Sequence, residues 1–222
     1  MSQVGSSVDV VVRVLVVDDD AMVRSFLRQI LTKRGIDVVA EASDGDEVVP
    51  AVQAHHPDVV LMDLRMERMD GVRATAAVAA LPDPPGVVAM TSFDTESTIL
   101  DAVHAGAAGF LAKDSGPEEL VAAVEAVASG DGALSARAAR VVMEQVTAAP
   151  TARGRREAQD MLAQLTDRER EIAYCVADGL SNIEIAGRLH LGEATVKTHL
   201  AHACHKLGVN RVRLALLVDR TG

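Results

Sequence analysis

The stretch Val14-Leu15-Val16-Val17-Asp18-Asp19-Asp20 decides the fold of this chain. Four apolar residues run unbroken into three carboxylates, and Val59-Val60-Leu61-Met62 run in the same way into Asp63. A short continuous apolar run is how a parallel strand buried on both faces reads. Ligands of parallel sheets bind just beyond the carboxyl ends of such strands. Carboxylates gathered there cannot all stay ionised and close together without a cation. These residues point to an α/β fold whose strand ends form a pocket for a divalent metal and phosphoryl chemistry.

Working outward, apolar runs recur at about 11–17, 36–40, 58–62, 86–91 and 107–112, each followed by a stretch able to form an amphipathic helix. Asp44-Gly45 and Pro82-Asp83-Pro84-Pro85-Gly86 punctuate the alternation. Ser115 to Glu118 reads as a capping box, with Pro117 near the first helical turn. Five strand–helix units predict a parallel sheet in the order 2-1-3-4-5 with helices on both faces.

The chain has 222 residues, which fits one large domain or two ordinary ones. Hydrophobic residues make up 49% but aromatic residues only 2%, so the cores must be built from Val, Leu, Ala and Met. No apolar run approaches the roughly eighteen residues needed to cross a bilayer. The polar stretch Met1 to Asp9 lacks the basic start and hydrophobic run of a secretory signal. Cys175 and Cys204 are too few for a disulfide framework and lack metal-ligand spacing; they read as small buried hydrophobes. A cytoplasmic location with free thiols and no membrane partner is expected.

The net charge of −10 is unevenly spread. Residues 1–146 hold 11 Lys+Arg against 23 Asp+Glu, a balance of −12, and residues 147–222 hold 11 against 9, a balance of +2. That asymmetry is expected if only the second part meets a polyanion. Between the parts, residues 147–160 are small, polar and basic without a hydrophobic period, and read as a linker. The expected organisation is a first domain over 10–130, a helical linker and hinge over 131–160, and a second domain over 161–222.

The second domain carries no strand signal. Thr166-Asp167-Arg168-Glu169 and Ser181-Asn182-Ile183-Glu184 are capping boxes opening two helices. Gly192 to Lys206 and Arg211 to Arg220 supply a third and a fourth. Two short helices joined by the tight turn Leu191-Gly192-Glu193 form a helix-turn-helix pattern, so an all-α four-helix domain is expected.

Over residues 11–130 the chain resembles a two-component response-regulator receiver. The resemblance rests on Asp18-Asp19, on Asp63 in Leu-Met-Asp-Leu-Arg-Met, on Asp70-Gly71, on Thr91 and on Lys113 in Gly-Phe-Leu-Ala-Lys, in order and at successive strand ends. It implies a flavodoxin-like (βα)5 domain in which Asp63 accepts a phosphoryl group from a sensor histidine kinase. Asp18, Asp19, Asp63 and the Arg65 backbone carbonyl would hold Mg²⁺, a hard cation suited to oxygen ligands. Lys113 would contact the phosphoryl oxygens, and Thr91 would donate to the attached group. Movement of Thr91 would open space for Phe110 and change the face of the fourth helix, fifth strand and fifth helix. Receivers usually carry a proline in the loop after the acceptor, where this chain has Met66-Glu67-Arg68-Met69.

Over about 162–220 the chain resembles the LuxR-type helix-turn-helix of NarL/FixJ regulators. Here the matching text runs from Leu165 to Ile172, from Gly179 to Ala186, through Thr195 to His199, and over Lys206-Leu207-Gly208-Val209. The resemblance implies that Gly192 to Lys206 enters the major groove of double-stranded promoter DNA. Lys197, Thr198 and Ala201 would face bases, while Val196, Leu200 and Leu207 face the domain core. Thr195, Asn182 and Arg168 suit phosphate contacts. In the family the last helices pair across a homodimer, which makes Leu214, Leu217 and Val218 candidates for dimer contacts or for core packing. His199, His202 and His205 drift around the helix axis at their spacing of three, so a metal site there is set aside.

The reading is a phosphorylation-controlled transcription regulator that is not an enzyme beyond handling its own phosphoryl group. A constitutive DNA-binding protein with a receiver-like interaction module is the alternative. A metal-dependent phosphohydrolase is disfavoured, because Arg65 stands where a second acid would be needed.

Overall fold

A computed structural model describes residues 11–92, 95–135, 138–141, 144 and 152–221. The elements of the first domain are β1 (Arg13–Val17), α1 (Ala21–Lys33), β2 (Asp37–Ala42), α2 (Val48–His55), β3 (Val59–Asp63) and α3 (Gly71–Ala79). They continue with β4 (Gly86–Thr91), α4 (Glu96–Ala105), β5 (Gly109–Ala112), α5 (Pro117–Ala128) and β6 (Ala133–Leu134). The sheet is parallel in the order β2-β1-β3-β4-β5-β6. The expected 2-1-3-4-5 order is therefore present, extended at its edge by two residues that the sequence placed in a helical linker.

Strand residues alternate between two cores. Val14, Val16, Val59, Leu61, Val88 and Met90 pack with α1 and α5, while Leu15, Val17, Val60 and Met62 pack with α2 and α3. Every residue of β3 is buried, which explains the unbroken apolar run before Asp63.

One local expectation needs correction. Ser115 does not cap α5; Gly116 is its N-cap, without a side-chain bond, and Pro117 occupies the first turn. Pro117 has no backbone N–H to satisfy, which removes part of the need for a cap. Asp20 is exposed and caps α1 by accepting from the Met22 N–H at 2.7 Å.

The second domain comprises α6 (Ala152–Leu162), α7 (Asp167–Ala177), α8 (Asn182–Leu189), α9 (Glu193–Leu207) and α10 (Arg211–Asp219). Residues 145–151 of the expected linker lie outside the described residues. Residues 136–137 and 142–143 lie outside them too; of the rest of that linker, 133–134 form β6, 138–141 and 144 are helical, and 152–160 belong to α6. The second half of α6 carries Ala158, Met161 and Leu162, of which Ala158 and Leu162 are buried. Leu162 packs on the core formed by Ile172, Val176, Ile185, Val196, Leu200 and Leu214.

The capping boxes at Thr166–Glu169 and Ser181–Glu184 are both formed. Helix α9 ends at Gly208, whose φ of 62° is a left-handed conformation that glycine adopts without steric cost. Among the described residues no helix is long and apolar enough to cross a membrane.

Candidate functional site

Sheet register assembles the first site. β1 pairs with β3 so that Val17 opposes Met62, which brings the next residues, Asp18 and Asp63, side by side. β4 pairs Met90 with Asp63, and β5 pairs Ala112 with Thr91, so Thr91 and Lys113 reach the same edge. The backbone N–H of Lys113 donates to the Thr91 carbonyl oxygen at 2.9 Å.

Asp18, Asp19 and Asp63 each offer an oxygen within 4.8 Å of the others; Asp18 and Asp63 are buried and Asp19 is exposed. Lys113 Nζ lies 2.6 Å from Asp18 Oδ2 and 2.9 Å from Asp63 Oδ2. Asp18 Oδ2 has no well-directed hydrogen bond despite that ion pair. Three carboxylates against one ammonium leave an excess of negative charge on hard oxygen donors, and one buried oxygen poorly satisfied. That set fits a divalent cation such as Mg²⁺.

Burial pushes the Asp63 carboxyl up; Lys113 works against that rise, and Asp18 adds to it. Burial alone would lower the Lys113 ammonium, but its bonds to Asp18 and Asp63 prevail and the net direction is up. Lys113 thus stays charged beside the carboxylates.

Backbone packing holds the acceptor in place. A Cβ on Gly71 would run into the Asp63 carbonyl oxygen, so the glycine of Asp70-Gly71 is required by close approach. Asp70 caps α3 by accepting from the Arg73 N–H at 2.8 Å. The Arg65 backbone donates to the Asp63 carboxyl, while the Arg65 side chain is exposed. Thr91 is buried at 1% exposure, and so is Phe110. Phe110 packs with Leu64, Ile99, Ala102, Ala138 and Val141, so it links the acceptor loop to α4 and to the helical residues 138–141.

Two matched domains show what this arrangement belongs to. Residues 14–125 match the response regulator receiver domain, and residues 163–218 match the bacterial regulatory proteins of the luxR family. The chain is a LuxR-type two-component response regulator. The regulator is 35% identical to the transcriptional regulatory protein LiaR of Bacillus subtilis over 213 residues, 94% of this chain and 97% of that protein. It is 36% identical to the DNA-binding transcriptional activator DevR/DosR of Mycobacterium tuberculosis over 202 residues, 90% of each chain. The crystal structure of the response regulator ChrA, from a heme-sensing two-component system, matches with 39% identity and a TM-score of 0.52. That match covers 94% of this chain and 96% of the ChrA chain.

In the regulator's second domain, Thr195, Lys197, Thr198 and Ala201 are all exposed on α9, while Val196, Leu200 and Leu207 are buried as expected. Lys197 pairs with Glu193 at 2.9 Å, and Thr198 Oγ1 donates to the Ala194 carbonyl oxygen. Arg168 reaches Glu171 at 2.7 Å and the Leu189 carbonyl oxygen at 3.3 Å, where it tethers the end of α8 to α7.

Asn182 departs from its expected exposure. It is only 1% exposed, its Nδ2 donates to the Ser129 carbonyl oxygen at 2.8 Å, and its backbone N–H donates to Asp131 at 3.3 Å. Arg211 donates to Asn182 Oδ1 at 2.7 Å, to the Leu180 carbonyl oxygen, and pairs with Asp131 at 3.2 Å. Asn210 Nδ2 donates to the Ala107 carbonyl oxygen at 2.7 Å. These contacts dock the second domain on the first.

Of the three dimer candidates, Leu214 is wholly buried and Val218 nearly so, both inside the second domain's own core; Leu217 is half-buried. In this arrangement the first two do not form a free surface. Val212 packs instead with Val103 of α4, alongside Leu134 and Leu216. The sequence reading also missed Glu169, whose carboxylate takes Lys206 Nζ at 2.7 and 2.9 Å as well as completing its capping box. Its place in a capping box was the legible half of that role.

Proposed function

We propose that a partner sensor histidine kinase phosphorylates Asp63 and that the regulator then binds promoter DNA in a sequence-specific way as a homodimer. The observation that carries this reading is the convergence of Asp18, Asp19, Asp63 and Lys113 at the strand ends. Asp63 presents a carboxylate nucleophile; attack of its oxygen on a phosphoryl donor forms an acyl phosphate and releases the donor group.

Asp18, Asp19, Asp63 and the Arg65 carbonyl hold Mg²⁺, which supplies charge neutralisation for the transferring phosphoryl oxygens. Lys113 is already drawn to the acceptor at 2.9 Å and is placed to contact those oxygens. The Thr91 hydroxyl donates to the attached group, and its shift acts on Phe110, which touches α4 and residues 138–141. Packing of Phe110 against those residues supports a route from the acceptor towards the second domain.

Helix α9 reads the major groove through Lys197, Thr198 and Ala201, with Thr195 and Arg168 at phosphates. Asn182 joins them once the domains separate. Leu217, with Leu214 and Val218 behind it, supports pairing of α10 with a second copy. Domain limits of 10–130 and 161–222 joined by a hinge, and a cytoplasmic site of action, complete the proposal.

DNA binding and oligomeric state of wild type and Asp63→Asn, with Mg²⁺ and with or without a small acyl phosphate or beryllium fluoride, test it. A wild-type-only shift to dimer and tighter binding is expected. Equal binding in every condition would sink phospho-control and leave the acidic cluster as inherited architecture.

A further inference from the structure

The loop between Asp63 and Gly71 carries the Arg65 carbonyl, and it lacks any proline to stiffen it. Its ends are closed by the Gly71 N–H donating to the Leu64 carbonyl oxygen and the Leu64 N–H donating to the Met90 carbonyl oxygen, both at 3.1 Å. Its middle is gripped from another part of the chain. Asp44 Oδ2 accepts from the Arg68 N–H at 3.0 Å, and Asp44 Oδ1 accepts from the Met69 N–H at 2.9 Å. The same Oδ1 accepts from the Gly45 N–H at 2.8 Å. A Cβ on Gly45 would collide with the Met69 carbonyl oxygen, so loop and turn lie backbone to backbone.

Arg68 then turns its guanidinium back over this turn. It lies 2.8 Å from Asp46, 2.7 Å from Glu47 and 3.8 Å from Asp44. Asp44 is 4% exposed, and burial alone would raise its carboxyl; the three backbone donors outweigh that and hold it below the ordinary value. An ionised carboxylate accepting backbone N–H groups makes a stronger bond than a neutral acceptor.

We propose that Asp44, seated by Arg68, is a positioning residue for the phosphoryl site: it fixes the loop backbone that brings Arg65 to the cation. Neither side chain touches the acceptor, so the effect passes through the loop. The inference rests on the reading of Asp63 as a Mg²⁺-dependent acceptor. Residues that orient a metal's ligands change affinity by about 10–100-fold when removed.

The two residues allow a test that separates positioning from plain electrostatics. Asp44→Asn removes a negative charge, and Arg68→Ala removes a positive one. A field effect on Mg²⁺ would weaken binding in the first and tighten it in the second. Positioning weakens both, by about tenfold, at the low end of that range.

Calorimetric Mg²⁺ titration of the full chain is the measurement, with hydrogen exchange of the Arg68 and Met69 amides in metal-free protein as a readout of the loop. Weaker Mg²⁺ binding and faster exchange in both variants are expected. Unchanged or tighter Mg²⁺ binding in Arg68→Ala would overturn the proposal. Arg68 is 54% exposed on its side chain, so Arg68→Ala keeps the fold and decides the matter even if Asp44→Asn unfolds. Wild type and Asp63→Asn serve as references. Failure of wild type to bind Mg²⁺ more tightly than Asp63→Asn would remove the acceptor reading itself. A wild-type-like Arg68→Ala, with that reference intact, would remove only the role of Asp44.

Discussion

Asn182 opens α8 with its side chain donating to the Ser129 carbonyl oxygen, so a residue suited by position to a DNA phosphate is held by the other domain. Arg211 closes the same junction through Asp131 at 3.2 Å. Helix α9 keeps Lys197, Thr198 and Ala201 exposed meanwhile. What the docked arrangement covers is Asn182 and one face of α10.

Asp131→Ala should therefore open the two domains without altering Lys197, Thr198 or Ala201. Arg211 is 13% exposed on its side chain and Asp131 29%, so the pair is partly desolvated and about 1 kcal/mol is expected from its loss. That corresponds to roughly fivefold more open molecules. Small-angle scattering of the unphosphorylated chain should show a larger radius of gyration; an unchanged radius would mean that the remaining contacts, Asn182 with Ser129, Asn210 with Ala107 and Val212 with Val103, suffice.

Lys113→Ala should leave Asp18 and Asp63 buried together without their shared cation. About 1–3 kcal/mol of stability should be lost at neutral pH in metal-free buffer. Added Mg²⁺ should shrink that deficit, because a second cation relieves the same repulsion. Urea unfolding with and without Mg²⁺ reads both quantities, and a deficit insensitive to Mg²⁺ would count against the shared site.

Glu169 should give the second domain an acid-labile clasp. Burial raises its carboxyl, but Lys206 and Thr166 outweigh that, and its folded value lies below the ordinary 4.5. A group whose value is lower in the folded state contributes stability that is present above the unfolded value and lost as pH falls through the folded one. Glu169→Gln should cost about 1 kcal/mol at pH 7, a difference that shrinks as pH falls below the ordinary 4.5 and is lost as pH passes through the lower folded value. Thermal melts across pH would show the two curves converging in acid.

Leu214 and Leu217 should separate core from surface on α10. Leu214 has no exposure, so Leu214→Ala should cost about 2–5 kcal/mol in urea unfolding. Leu217 is half-buried, and Leu217→Ala should cost less than about 1 kcal/mol. Sedimentation of the beryllium fluoride-treated protein would then report whether Leu217→Ala weakens the dimer without weakening the fold.

The strand-end acids were legible because a parallel strand buried on both faces has no polar residue until it reaches its end, so Val14–Val17 and Val59–Met62 announce Asp18 and Asp63. The capping boxes at Thr166 and Ser181 were legible because their partners are three residues away. Ser115 misled for the complementary reason: Gly116 could take the cap position, and Pro117 needed no donor satisfied. The bounds of α6 within the helical linker were not legible because its described residues bury little beyond Ala158, Met161 and Leu162, too few apolar residues to show a period.

By itself the sequence determined the two domains' classes, the order of the first five strands and the side chains that meet at their ends, since each depends on spacing within a strand, a turn or a cap. Tertiary structure alone decided that Asn182 lies against Ser129, that Arg211 reaches Asp131, that Leu214 points inward and that Asp44 grips the Arg68 loop. Those contacts join residues 53, 80 and 24 positions apart or depend on which face of a helix is covered. Such pairings follow from how packed elements approach one another, and nothing in the local chemistry of either partner specifies the other.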